Sequence, residues 1–364
     1  MAHREAPLGP EALAARTPIE ATERSPHRTQ DPTSTTLYYT ANRGAMIEPR
    51  VRLEPLETPA SEATHWRVIV DVDGALAPHA LGVRSGPIKR QRMKQGEHAL
   101  LEGFRPAWQR LTFAPMTGPK RQPRRIAGKK GRSYSPLTVF PDDSRVVLTD
   151  TSYPWSCIGR IETSDGDLGS AALVGGRVVV TAQHALPSRT MATGNWWIKF
   201  VPAYFDGASK VGLSSYVSDA HWYVRDDTEF NVSHDYAALR LYDPLGSQLG
   251  YFGANEFDDD WRNLRVFSGV GYPKDIANNE EPVVQFNWWM ADDFEDDDGQ
   301  ILETTASLEH GESGGPFFAW WNNDPRIVGV VSGGGNINGD QANALAGGPN
   351  LVDIINWARG AWPV

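Results

Sequence analysis

The sequence predicts an all-β protein built from antiparallel barrels, and three observations predict it. Short β-branched and aromatic runs recur through residues 137–364, punctuated by Gly, Pro, Asn and Asp. Leu173-Val174 and Arg177-Val178-Val179-Val180 flank Gly175-Gly176, the signature of a two-residue hairpin turn. Near the C-terminus the pattern changes: Leu351, Val352, Ile354, Ile355 and Ala358 have helical spacing.

Taken in order, residues 1–60 are rich in Pro, Ser, Thr and charge, carry few large apolar side chains, and are expected to be largely disordered. Residues 61–136 read as a small basic region and linker, with a strand at Trp66–Val72 closed by Asp73-Gly74. The basic stretch from Lys120 to Arg132 reads as a protease-sensitive connector. From residue 137 onward, strands are expected at Trp196–Pro202, Ala237–Tyr242, Arg265–Tyr272, Val283–Met290, Pro316–Trp320 and Ile327–Val331. Asp292–Gly299 reads as a solvated acidic loop, since its carboxylate spacing does not fit an EF-hand.

Charge divides the chain. Residues 1–135 hold 22 Lys and Arg against 13 Asp and Glu, whereas residues 136–364 hold 13 against 32. A basic third of this kind suits nucleic acid or an anionic surface, but no nucleic-acid motif accompanies it. The simpler expectation is that it complements its own acidic partner, as an intramolecular inhibitor or chaperone. No membrane-spanning run is present, no motif calls for a cofactor or resident metal, and a monomer is expected. Cys157 is the single cysteine, so no intrachain disulfide can form.

The chemistry lies in three segments. Gly311-Glu312-Ser313-Gly314-Gly315-Pro316 offers a serine in a glycine-lined turn, where backbone N–H groups can hold a developing oxyanion. Thr181-Ala182-Gln183-His184-Ala185 follows Val178-Val179-Val180, and Asp235 opens another strand-like run. A base, an orienter and a nucleophile, each at a strand edge, are what a serine nucleophile needs. Chain order excludes the α/β-hydrolase elbow, whose histidine follows its serine; the last histidine here is His310. An order of Asp, His, Ser would need Asp150 or Asp165 in a setting that is β-rich throughout.

His184, Asp235 and Ser313, separated by 51 and 78 residues, resemble the triad of trypsin-like serine proteases of the chymotrypsin clan. Asp143–Thr151, Tyr153-Pro154-Trp155 and Ile327–Gly334 extend the resemblance to the disulfide-poor, glutamyl-endopeptidase-like branch of bacteria and fungi. The resemblance implies two six-stranded antiparallel barrels, a C-terminal helix and a protease domain over residues 137–364. It also implies peptide or protein substrates, and the charge division adds the expectation of a chain held latent until its N-terminal region is removed. Export is implied too, although Met1-Ala2-His3-Arg4-Glu5 opens no secretory signal. Gly311 and Ser313 would supply the oxyanion hole, Ser332 would support Asp235, and Gly333 and Gly334 would pair with extended substrate.

Two departures temper this inheritance. Glu312 stands where trypsin-like zymogens carry an aspartate that pairs with a freed N-terminus, so activation by cleavage stays open. Glutamate-specific relatives place a histidine and a hydroxyl where Val331 and Leu308 stand here. A buried carboxylate beside them would have no charge partner. With Ser307 at the expected pocket floor, the preferred residue before the cut bond is expected to be neutral or apolar. The alternative is an idle trypsin-like scaffold that binds a partner.

Overall fold

The computed structural model describes residues 5–26, 50–56, 65–71, 84–87, 100–121, 137–193, 196–223, 232–296, 299–337 and 340–364. Six strands form the first barrel: β1 (Ile158–Thr163), β2 (Leu168–Leu173), β3 (Val178–Thr181), β4 (Ile198–Pro202), β5 (Ser215–Trp222) and β6 (Ala237–Leu241). The hairpin expected at Gly175-Gly176 joins β2 to β3 but is one residue longer than expected: Leu173 pairs with Val179, Val174 N donates to Val178 O over 2.8 Å, and Arg177 completes a three-residue loop. The strands run in the order β6-β3-β2-β1-β4-β5, and β5 pairs antiparallel with β6 to close the ring. Closure removes the exposed edges that an open sheet would carry.

The second sheet contains β7 (Phe267–Gly271), β8 (Val283–Trp288), β9 (Ala291–Asp296), β10 (Gly299–Thr304), β11 (Pro316–Trp321), β12 (Asp324–Ile337) and β13 (Asp340–Gly347). Its order is β9-β10-β13-β12-β11-β7-β8, with Val146–Val147 added beside β8. The expected acidic loop is thus a hairpin arm, because Ala291–Asp296 pairs antiparallel with Gly299–Thr304. Strand pairing, which a charge count does not register, overrides the low β propensity of aspartate. The C-terminal helix spans Pro349–Ala361 and buries Leu351, Ile354, Ile355 and Ala358 against the first barrel's core. A second core gathers Phe267, Leu302, Phe317, Val331 and Leu345. Each such side chain, fully buried, contributes about 1.5–3 kcal/mol.

The N-terminal third departs from its composition. Residues 5–26, expected to lack structure, lie along the body: Leu8 N donates to Trp320 O over 2.8 Å, and Trp321 Nε1 donates to Glu5 O over 2.8 Å. Residues 100–121 form a belt. Leu111 is 1% exposed and joins the first core, while Trp155 Nε1 donates to Thr112 O over 3.0 Å. A few apolar anchors suffice to dock a segment whose average composition is polar. The expected strand at Trp66–Val72 is found at His65–Asp71, paired with Arg50–Leu56. Most of the Lys120–Arg132 connector lies outside the described residues. Among the described residues, no helix is long and apolar enough to cross a membrane.

Candidate active site

β3 and β6 pair from Thr181–Ala237 to Val178–Arg240. That register puts the residues just after β3 and just before β6 on one edge. His184 lies there in a one-turn segment, Gln183–Ala185, and Asp235 follows the turn Val232–His234. Asp235 Oδ1 accepts the His184 backbone N–H at 2.8 Å, and Oδ2 lies 2.6 Å from His184 Nδ1. The Ser332 hydroxyl donates to the same Oδ2 over 2.5 Å. A β-bulge explains Ser332. Val331 pairs with Leu345 and Gly333 with the adjacent Ala344, leaving Ser332 out of the ladder. Asp235 is 1% exposed, and these bonds provide what a buried carboxylate requires. They aim His184 Nε2 at Ser313 Oγ, 2.9 Å away.

Ser313 sits in the turn between β10 and β11. Gly311 has φ +96° and Gly314 has φ +81°, a region that favours glycine. A Cβ on Gly311 would strike Asn279 and Tyr272, and one on Gly314 would strike Thr181 and Ser170. The turn is stapled to the first barrel and to the second sheet. Gly314 N donates to Val331 O over 2.7 Å, and Ser170 N in β2 donates to Ser313 O over 2.9 Å. Ser170 Oγ donates to Gly311 O over 2.7 Å and accepts from Tyr272 N at 2.9 Å.

Beneath the turn, Arg145 is 0% exposed. Its guanidinium donates to Glu312 Oε2 over 3.2 Å, to Asp275 over 3.1 and 2.6 Å, and to Asp143 over 3.0 Å from both Nε and Nη2. Burial pushes the Glu312 carboxyl up to about 8, although the Arg145 charge and the Glu309 N–H pull the other way. For Arg145, burial acts downward, but the Glu312 charge and the hydrogen bonds to Asp143 and Asp275 hold it above its ordinary value.

The sequence profile of the trypsin family matches residues 147–355, more than half of the chain. The chain belongs to the trypsin family. Glutamyl endopeptidase of Bacillus licheniformis is 24% identical over 210 residues, covering 56% of this chain and 62% of that protein. The chain therefore spans less than two-thirds of that relative's length. A solved structure of Glu endopeptidase in complex with MPD aligns with TM-score 0.51 at 19% identity, covering 61% of this chain and 100% of that one. A likeness at that identity bears on the fold, which is chymotrypsin-like and mostly strands.

The expected specificity residues of this trypsin-family body fall into two groups. Gly333 and Gly334 lie half-buried on β12, beyond the Ser332 bulge. Ser307 and Leu308, at 0% and 1% exposure, are packed away. Ser307 Oγ accepts from Phe140 N at 3.0 Å, and Leu308 N donates to Thr138 O over 3.0 Å. Segment 137–140 thus lies against them, and Asn343 bonds Thr138 through both ends of its amide. His310 is exposed and sits 2.6 Å from its neighbour Glu309. Sequence reasoning missed Ser170, Asn279 and the placement of Arg145. Each acts across long chain separations, and no local pattern marks it.

Proposed function

We propose that this chain is a serine endopeptidase whose triad is His184, Asp235 and Ser313. The observation that carries the reading is His184, bonded to Asp235 through Nδ1 and to Ser313 Oγ through Nε2. With Asp235 ionised, the ring proton resides on Nδ1 and Nε2 accepts the serine proton. Ser313 Oγ adds to the peptide carbonyl as that proton moves to His184. The tetrahedral intermediate collapses, the C–N bond breaks, and His184 returns the proton to the leaving amine. Water, deprotonated by the same nitrogen, then releases the acid and restores Ser313. Asp235 keeps the ring oriented and stabilises its charged form throughout.

The oxyanion would be held by the N–H groups of Gly311 and Ser313. His310 O accepts Lys274 N–H at 2.8 Å and the Asn279 amide at 3.4 Å. In a trans peptide the Gly311 N–H points away from those donors, which supports its direction toward the serine. Gly333 and Gly334 offer backbone to an extended substrate. Leu308 and Val331 are buried in the second core and place no hydroxyl or cation at the two positions where glutamate-specific relatives carry them, so a neutral or apolar side chain is preferred over glutamate or arginine.

Latency by occlusion would require N-terminal residues in the cleft. The described stretches 5–26 and 100–121 touch Trp320, Trp321, Tyr153 and Gln248 instead. Trp321 ends β11, roughly 17 Å of strand from Pro316, which stands beside the serine turn. We read these stretches as a belt that remains with the enzyme. The test is hydrolysis of a peptide library by wild type and Ser313→Ala. Cleavage after neutral or apolar residues, lost in the variant, is expected. Cleavage that survives the substitution would overturn the triad, and binding without cleavage would favour the idle scaffold.

A further inference from the structure

The loop after β7 has an unusual backbone. Ala277, Asn278 and Asn279 are consecutive non-glycine residues with φ of 52°, 54° and 66°. A left-handed conformation costs each residue roughly 1 kcal/mol, and such strain persists only where the surroundings over-determine it. The surroundings here are the serine turn. Lys274 N and Asn279 Nδ2 both bond His310 O, and Asn279 Nδ2 also bonds Tyr272 O at 2.6 Å. Arg160 Nη1 donates to Asn279 O over 3.2 Å and fixes the loop from β1. From the same loop, Asp275 takes two bonds from Arg145, whose remaining fork reaches Glu312.

Two tethers from this loop therefore converge on Gly311, one through the carbonyl before it and one, by way of Arg145, through the carboxyl after it. Glu312 Oε2 is occupied twice, by Arg145 and by Glu309 N–H at 2.8 Å. A planar guanidinium that joins the carboxyl groups of Asp143, Asp275 and Glu312 fixes direction as well as distance, which a flexible ammonium does not. From this geometry we infer that Arg145 is a positioning residue. With the 273–280 loop, it sets the Gly311 N–H for the oxyanion from within the intact chain, and no terminus freed by cleavage is needed. The inference rests on the serine-protease reading above. It adds how the site is switched: the site is assembled on folding.

The test measures kcat and KM on a peptide substrate for the full-length protein, its intact mass verified before and after the assay. Arg145→Met, Arg145→Lys and Asn279→Gly are compared with wild type. Affinity for a peptide aldehyde, which forms a tetrahedral adduct, is measured alongside. Intact wild type should be active, and nicking the 122–136 connector should leave kcat within about twofold. Arg145→Met should lose about 100-fold in kcat, as loss of one oxyanion donor does, with KM within about threefold and aldehyde affinity falling in parallel. Arg145→Lys should recover part of that loss. Asn279→Gly keeps the backbone conformation and removes only the amide donor, so its kcat should fall about tenfold; it decides the matter if Arg145→Met does not fold. Activity that appears only after nicking would overturn the inference while leaving the enzyme. So would folded variants with wild-type kcat. Intact and nicked wild type that both lack Ser313-dependent hydrolysis would sink the reading beneath it, and the inference with it.

Discussion

His184 and Asp235 meet because β3 and β6 are zipped together over four residue pairs, from Thr181–Ala237 to Val178–Arg240. Ser313 is held otherwise, by a turn whose bonds reach Ser170 in the first barrel and whose floor is Arg145 with its carboxylates. The first arrangement is a by-product of a β-ladder and needs little beyond strand propensity. The second needs a buried cation, two glycines at positive φ and a strained loop, none of which a ladder supplies. The proposed triad is thus simple to assemble on its His184–Asp235 side and heavily over-determined on its Ser313 side. On the proposed mechanism, the over-determined side is where the oxyanion would be met without reorganisation.

Breaking the pair at its contact has the largest effect. Ser313→Ala should lower kcat by about 10⁶-fold, and His184→Ala by nearly as much, since residues of such a unit fail together. Steady-state kinetics on a chromogenic peptide check this, and a loss below about 100-fold would contradict the assignment. Ser170→Ala removes the hydroxyl that links Gly311 O to Tyr272 N. A displacement of roughly an ångström at the turn should cost up to about 100-fold in kcat, with little change in KM. An unchanged kcat would show that the backbone bond from Ser170 N to Ser313 O is enough.

Glu312 sharpens the comparison through pH. Its carboxyl is pushed up to about 8 by burial, from an ordinary 4.5, while facing Arg145, Asp275 and Glu309. Between those values the folded chain keeps a proton that the unfolded chain has lost. Stability from this group is therefore present at low pH and falls as pH rises toward 8. Glu312→Gln should flatten that slope in denaturant titrations taken at several pH values, and an unchanged slope would reject the assignment. The smallest effect on turnover is expected from the belt. Leu111→Ala should cost about 2–5 kcal/mol of stability and leave kcat of the folded protein unaltered. A fall in kcat would tie the belt to the site.

How far the sequence foretold these features follows the same division. The His184 and Asp235 corner could be read because each residue adjoins a hydrophobic run whose period identifies a strand. The hairpin at Gly175-Gly176 and the C-terminal helix were legible for the same local reason. The serine was visible as a glycine-rich turn, but its supports were not. Arg145 lies 167 residues from Glu312, and Ser170 lies 141 residues from Gly311. Ser332 was expected beside Asp235 through family resemblance, and the bulge that aims it has no signature in its own sequence. The docking of residues 5–26 and 100–121 was hidden because a handful of anchors such as Leu8 and Leu111 carries it against a polar average composition. Ser307 and Leu308 were placed toward the substrate, yet segment 137–140 covers them; contacts between distant segments cannot be read from spacing.

The most direct measurement is labelling of the intact full-length protein with a fluorophosphonate serine probe, followed by peptide mapping of the adduct. Stoichiometric modification at Ser313, abolished in His184→Ala, is the predicted result. A folded protein that takes up no probe at Ser313, intact or nicked in the 122–136 connector, would contradict it.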